Sequence, residues 1–221
     1  MGNWQNIYQQ GRQLNKYPYD AIVSLVMRLR HTNSSLSALE LGCGAGNNIV
    51  FMAEEGVDVA GIDISSVALD FAQERLTRLQ LKADLVNGHF TQLPWQDNSF
   101  DLVIDRSALN CVPRSDILVA LSESYRVLKP GGCIFSIMYA DTHPAFINSG
   151  YQHDGFARQF SPDYFSDIDG LFFASKADVC ELFSKFAITQ QSYDVSYDQN
   201  DKITSAQRSI VAYKSPIAQI T

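Results

Sequence analysis

The sequence predicts an α/β protein: a three-layer, doubly wound, mostly parallel seven-stranded sheet with an antiparallel C-terminal hairpin at one edge. Three observations carry this. Between residues 36 and 140, short apolar runs alternate with segments of helical periodicity, the pattern of consecutive βαβ units. The first apolar run ends in a glycine-rich turn, "ELGCGAGNN", as a strand feeding a helix at a ligand-binding edge does. Near the C-terminus the rhythm changes to two long stretches, "AITQQSYDVSYDQ" and "AQRSIVAYK", around the turn "NDK", which read as a hairpin.

Each element follows from local signals. Ile22, Val23, Leu25, Val26 and Leu29 recur at helical spacing after Pro18, with Asp20 in the first turn, and "TNSS" ends that helix. "SALELG" is a short buried strand. Residues 47–55 form a helix stopped by Gly56, and "VDVAGID" is the second strand. Ser65 is placed to cap a helix running to Leu79. "ADLVNG" and "FDLVIDR" are the third and fourth strands. A helix over 115–128 closes at "KPGG", which turns into the fifth strand, "GCIFSIMYA". From residue 141 about thirty residues rich in aromatics, glycine and aspartate show no period, and a loop that long in a compact domain reads as a lid or substrate wall. A helix over 176–186 precedes the hairpin.

The bulk composition bounds the function. The 221 residues, 46% hydrophobic and 19% charged, suffice for one domain with an ordinary core. The formal net charge is −7, and an acidic surface repels phosphate backbones, so no nucleic-acid partner is expected. Cys43, Cys111, Cys133 and Cys180 have neither CxxC nor zinc spacing, which reads as free thiols in a reducing cytoplasm and no metal. No secretory apolar segment and no run near the ~20 apolar residues of a membrane span is seen, so a cytoplasmic protein without membrane attachment is expected.

The glycine turn is specific. Gly42, Gly44 and Gly46 fall on alternate positions, whereas a dinucleotide fingerprint G-x-G-x-x-G would need glycine at position 47, which is Asn47. The turn is therefore not a pyrophosphate cradle. Asp63 ends the second strand beside it, where a carboxylate can accept hydrogen bonds from both hydroxyls of a ribose.

Taken in order, "ELGCGAGN", "GIDIS", "GHFTQLPWQDNSFDLV" and "RVLKPGG" resemble the class I S-adenosylmethionine-dependent methyltransferases, in particular the small-molecule group, over roughly residues 36–140. The resemblance implies a Rossmann-like order of elements, S-adenosylmethionine as cofactor and S-adenosylhomocysteine as product. It implies that Glu40, Gly42, Gly44 and Gly46 form the turn around the methionine part, that Asp63 binds the ribose, and that Ile64 packs on the adenine. His89 and Phe90 would flank the adenine edge. The family usually has an aspartate where His89 stands, and a neutral histidine can accept through one ring nitrogen in its place. Asp105 and Arg106 would lie near the cofactor's amino group and the transferred methyl. An N-terminal aromatic segment resembles the flap that closes over the cofactor, with Tyr8 and Tyr17 lining the methyl-transfer pocket.

Methyl transfer from a sulfonium is an in-line displacement with a neutral leaving sulfide. It needs alignment and sometimes removal of one proton, so it leaves no obligatory catalytic motif. Candidate bases are His143 and His153, with Asp105 and Tyr139 as further candidates. "DRSA" follows the fourth strand where amino-group methylases of bases or glutamine carry N-P-P-[YF], which argues against those acceptors. The expected function is methyl transfer to a small-molecule acceptor by a monomer or homodimer. The alternatives are a cofactor-binding regulator without transfer and a nicotinamide oxidoreductase, the latter disfavoured by Asn47. One domain, 1–221, is expected: a helical flap (1–30), a cofactor-binding core (36–140), a lid insertion (141–174) and a C-terminal helix and hairpin (175–221).

Overall fold

The computed structural model describes residues 4–160, 165 and 168–215; the expected flap, insertion and C-terminal segment therefore lie in small part outside the described residues. In chain order the elements are α1 (Trp4–Gln9), α2 (Asp20–Thr32), β1 (Ser37–Leu41), α3 (Asn47–Glu54), β2 (Asp58–Asp63), α4 (Ser66–Arg78), β3 (Asp84–Asn87) and β4 (Phe100–Arg106). A single 3-10 turn, Leu109–Cys111, leads to α5 (Arg114–Val127) and β5 (Leu128–Tyr139). Then come α6 (Pro144–Ile147), β6 (Tyr151–His153), β7 (Phe156–Arg158), β8 (Leu171–Phe172), α7 (Lys176–Leu182), β9 (Ala187–Tyr197) and β10 (Ile203–Tyr213).

Seven strands form one sheet in the order β3-β2-β1-β4-β5-β10-β9. The first five are mutually parallel, while β10 runs antiparallel to both β5 and β9. This is the expected architecture, hairpin edge included. The order reverses at β1, which lies between β2 and β4, so a crevice opens at its carboxyl end, where Leu41 stands level with Ile62 and Asp105.

Strand pleating sorts the core into two layers. Leu39, Leu41, Ile62 and Val103 pack with Ile117 and Leu121 of α5 and Val179 and Leu182 of α7. Their chain neighbours Ala38 and Leu102, with Ile104, pack with Ile22 of α2, Ile49 and Met52 of α3 and Leu76 of α4. All five residues of β1 are buried, as a central parallel strand requires. Among the described residues no helix is long and apolar enough to cross a membrane.

Three local outcomes depart from the sequence expectation. "KPGG" is not a turn ahead of β5 but its beginning: Gly131 N–H donates to Lys214 O and Lys214 N–H donates to Gly132 O, and a register shift against β4 between Phe100 and Leu102 absorbs the extra residues. The helix expected over 176–186 ends at Leu182; its start is fixed by a capping box in which Ser175 Oγ accepts from Asp178 N–H and Asp178 accepts from Ser175 N–H. The insertion from 141 is not a plain loop. It forms α6 and a three-stranded antiparallel sheet, β6-β7-β8. Asn110 Nδ2 donates to Phe172 O at 2.6 Å and ties β8 to the 3-10 turn, while Ala174 N–H donates to Tyr139 O at 2.8 Å.

Candidate active site

The carboxyl ends of β1, β2, β3 and β4, roofed by α1 and flanked by the insertion, enclose a cavity of about 270 Å³. The turn after β1 is shaped so tightly that side chains are excluded. Gly42 (φ +62°) would place a Cβ 2.5 Å from Ala108 Cβ, and Gly44 (φ +52°) one 2.3 Å from Tyr8 Oη. Left-handed φ and lack of room together demand glycine at both.

Asp63, at the tip of β2, holds this turn. Its Oδ2 accepts the Gly44 N–H at 2.8 Å and its Oδ1 accepts the Ser65 N–H at 2.8 Å. Burial raises its pKa in spite of these bonds. Each oxygen keeps further lone-pair capacity toward the cavity it lines. Ser65 caps α4, as the sequence predicts, accepting from Ala68 N–H at 3.2 Å.

Glu40 lies on the same wall, buried. Its Oε1 accepts from Asn48 Nδ2 at 2.6 Å, and its Oε2 has no hydrogen-bond partner. Burial, with Asp63 and Asp105 adding to it, pushes its carboxyl up to about 8. Asn48 Oδ1 in turn accepts the Tyr19 N–H at 3.1 Å. The guanidinium of Arg106, at the end of β4, lies 4.0 Å from the centroid of the Tyr19 ring and donates through Nη1 to Ser107 Oγ at 2.8 Å; its buried Nε has no partner. A buried carboxylate oxygen and a buried guanidinium nitrogen, both unsatisfied, make a wall suited to a charged ligand.

Across the cavity His89 follows β3. Its Nδ1 lies 2.7 Å from Thr91 Oγ1 and accepts the Thr91 N–H at 3.3 Å, and its ring stands 4.7 Å from that of Phe90. Ile64 reaches the same wall from β2.

Residues 38–132 match a protein-family profile described as a methyltransferase domain. Over these residues the chain is similar to methyltransferase domains. It is 38% identical over 110 residues to a demethylmenaquinone methyltransferase of Listeria monocytogenes, covering 48% of this chain and 46% of that one. It is 31% identical over 150 residues to the protein of the same name from Oceanobacillus iheyensis, covering 61% and 59% respectively. The match thus spans about half the length of these relatives. The solved structure of an S-adenosylmethionine-dependent methyltransferase from Methanosarcina mazei superposes with a TM-score of 0.72 over 90% of this chain and 99% of that one, at 20% identity, which shows a shared fold.

Within this fold, the predicted residues separate into two groups. Tyr8, Glu40, Gly42, Gly44, Asp63, Ile64, His89, Phe90, Arg106 and Tyr139 all line the one cavity. Gly46, Tyr17, Asp105 and His143 do not. Gly46 (φ +77°) starts α3 and faces Ala72, which a Cβ there would approach to 2.7 Å. Tyr17 is 74% exposed, so it does not line a methyl-transfer pocket; Tyr19 occupies the wall in its place. Asp105 is completely buried beneath the cavity wall, accepting from Ala108 N–H, Leu109 N–H and Ser136 Oγ, so it shapes the turn after β4 rather than facing a ligand. His143, 3% exposed, accepts the Ala145 N–H through Nδ1 as the cap of α6 and packs among the rings of Tyr139, Phe165 and Phe173. Burial lowers its pKa to about 4, which leaves it neutral and a poor proton acceptor.

Sequence reasoning missed Trp4, Tyr19, Asn48, Cys111 and Phe165 on the cavity wall. For Asn48 a signal existed: it opens α3 directly after the glycine turn, where a side chain can reach back to the end of β1. For Tyr19 the choice between two tyrosines flanking Pro18 depends on which one starts α2, and that is Tyr19, its N-cap.

Proposed function

We propose that this protein transfers the methyl group of S-adenosylmethionine to a small-molecule acceptor. The observation that carries the reading is Asp63 at the tip of β2, buried against a turn of left-handed glycines, with the unsatisfied Glu40 oxygen on the same wall. The fit with the cofactor rests on that geometry. The Asp63 oxygens keep lone pairs for ribose hydroxyls, Glu40 offers a buried carboxyl oxygen to an ammonium group, and Ile64 and Phe90 offer apolar surface to a base. Bound there, the cofactor would supply an electrophilic methyl group on a sulfonium.

The chain's own part is to align and to exclude water. Tyr139, Cys111, Val112, Phe165 and Leu171 give the insertion side of the cavity an apolar, aromatic character. That wall, and the likeness to proteins named demethylmenaquinone methyltransferase, support an aromatic or otherwise apolar ring as acceptor. Two thiols also line the cavity and must not become acceptors themselves. Burial holds Cys43 well above the ordinary thiol value and pushes Cys111 up to about 12, so both remain unreactive thiols. The net charge of −7 favours a small molecule over a nucleic acid, and the four free cysteines suit a reducing cytoplasm.

The test is calorimetry with S-adenosylhomocysteine and with NAD, followed by transfer of labelled methyl from S-adenosylmethionine to phenolic, quinol and heterocyclic acceptors. Binding of S-adenosylhomocysteine with turnover on a ring acceptor is expected. Binding of NAD alone overturns the reading, and tight binding without turnover on any acceptor makes the protein a cofactor-dependent regulator.

A further inference from the structure

We propose that the Tyr139 hydroxyl donates a hydrogen bond to the ionised oxygen of a phenol- or enol-type ring, and so decides which acceptor the cavity takes. The proposal rests on the methyl-transfer reading above and goes further by naming the acceptor's chemical class and the atom that selects it.

Of the four residues that the sequence offers as bases, only Tyr139 lines the cavity; Asp105 and His143 are buried outside it and His153 is exposed on β6. Tyr139 is fixed from behind. Its backbone pairs with Gln207 of β10, and its carbonyl accepts the Ala174 N–H at 2.8 Å. Its ring packs against those of His143, Phe165 and Phe173, with centroids 5.3, 5.1 and 5.9 Å away. The groups whose charge acts on the hydroxyl are Arg106, Cys111 and Tyr19, all on the cavity wall, so the polar end of the side chain faces the cavity. It makes no hydrogen bond among the described residues. A tyrosine hydroxyl this far from bulk water normally has a partner, and here the partner has to come from a ligand.

The neighbouring polar groups are already engaged. Ser107 Oγ accepts from Arg106 Nη1 at 2.8 Å and donates to Ile137 O at 3.1 Å, and Cys111 Sγ donates to Ser107 O at 3.6 Å. Val112, Phe165, Ile168 and Leu171 are apolar. Such a wall packs a flat ring and leaves one polar group to set its orientation. Burial raises the Tyr139 pKa, so at neutral pH the hydroxyl keeps its proton and serves as a donor, not as a base. A donor beside the positive Arg106 favours an oxygen whose proton has already gone to solvent, because hydrogen bonds to an ionised acceptor are the stronger ones. A protonated amine would meet Arg106 with like charge and offer Tyr139 no lone pair.

The experiment loads the full chain with S-adenosylhomocysteine and titrates it with two probes: para-nitrophenol, whose visible absorption reports its ionisation, and nitrobenzene, the same ring without the oxygen. Wild-type protein is expected to bind para-nitrophenol at least tenfold more tightly than nitrobenzene and to hold it as the phenolate. Tyr139→Phe keeps the ring and deletes only the hydroxyl. It should weaken para-nitrophenol about 10- to 100-fold, the usual scale for a hydrogen bond to a charged group, while leaving nitrobenzene and S-adenosylhomocysteine within about twofold. Equal binding of the two probes by wild-type protein overturns the proposal. Equal losses of both in Tyr139→Phe overturn it in favour of a packing role. Disappearance of the rising limb of the pH–rate profile in Tyr139→Phe, with any acceptor that turns over, overturns it in favour of a base. Wild-type protein that does not bind S-adenosylhomocysteine overturns the cofactor reading beneath it, a result distinct from the others.

Discussion

Asp63 accepts the backbone N–H of Gly44 at 2.8 Å, so the tip of β2 fastens the turn that follows β1. One carboxylate therefore organises the turn and faces the cavity. Asp63→Ala removes both functions. It is expected to weaken S-adenosylhomocysteine and 5′-methylthioadenosine alike by about 100-fold, since both carry the ribose, and to lower stability by about 1–3 kcal/mol through the unpaired buried amides. Calorimetry and denaturant unfolding read the two effects separately. Unimpaired binding by Asp63→Ala would remove the basis for the ribose assignment.

The protonation of Glu40 sets a pH dependence. Its carboxyl moves from 4.5 to about 8 on folding, because burial disfavours the charge; Asn48 and Arg106 oppose that rise, while Asp63 and Asp105 reinforce it. The folded value is raised, so the folded protein holds the extra proton between these limits. Stability from this group is complete below about pH 4.5 and is lost as pH climbs toward 8, at up to about 1.4 kcal/mol per unit. Asp105, raised to about 6 by burial, acts the same way over a lower range, and His143, lowered from 6.5 to about 4, acts in the opposite sense below 6.5, so the Glu40 slope is read between pH 7 and 8. The ligand-free melting temperature should fall across that window by about 2 °C or more per unit, and Glu40→Gln should flatten it. S-adenosylhomocysteine binding at pH 7 should release protons, seen as a dependence of the calorimetric enthalpy on the buffer.

The contact between Gly42 and Ala108 can be tested as a pair. Gly42→Ala drives a Cβ to 2.5 Å from Ala108 Cβ at a φ of +62°, and should destabilise the protein by about 2–4 kcal/mol while weakening cofactor binding. Adding Ala108→Gly removes the clash but not the left-handed strain. The double variant should recover about half of the loss in chemical denaturation. Additive losses would show that the two residues do not meet.

Asn110 carries the attachment of the insertion. Asn110→Ala deletes its 2.6 Å bond to Phe172 O, a buried contact between β8 and the 3-10 turn, at a cost of about 1–3 kcal/mol. Hydrogen exchange should accelerate in β6, β7 and β8 and remain unchanged in β1 and β2. Uniform acceleration through the sheet would show that the insertion and the core open together.

The parts legible in the sequence are those where a short stretch decides its own structure. The strands of the parallel sheet announce themselves as apolar runs, and the glycine turn as three residues that only a left-handed backbone explains. Ser65 is recognisable as a cap because capping depends on neighbours three residues away. What could not be read depends on packing at a distance. Asp105 ends a strand at the ligand edge, yet its carboxylate turns inward because Ser136, from the adjacent strand, and the amides of Ala108 and Leu109 claim it. Tyr17 and Tyr19 are alike in the sequence and opposite in the fold, since only the second enters the wall beside Arg106. The small sheet of the insertion is three pieces of two or three residues, too short for any period to show, and held by partners such as Asn110 that lie far away in the chain.

Tyr8 rests on Gly44, and α1 is tethered by Gln5, which accepts from Ser65 Oγ at 3.0 Å and donates to Ser66 Oγ at 3.2 Å. These attachments cover the same cavity that a nucleoside with an amino-acid tail would have to enter and leave. A ligand bound there would be walled on one side by Trp4 and Tyr8 of this six-residue helix, and should slow hydrogen exchange in it. That wall is held to the core by the two hydrogen bonds of Gln5, so Gln5→Ala should loosen the cover without touching the floor of the cavity.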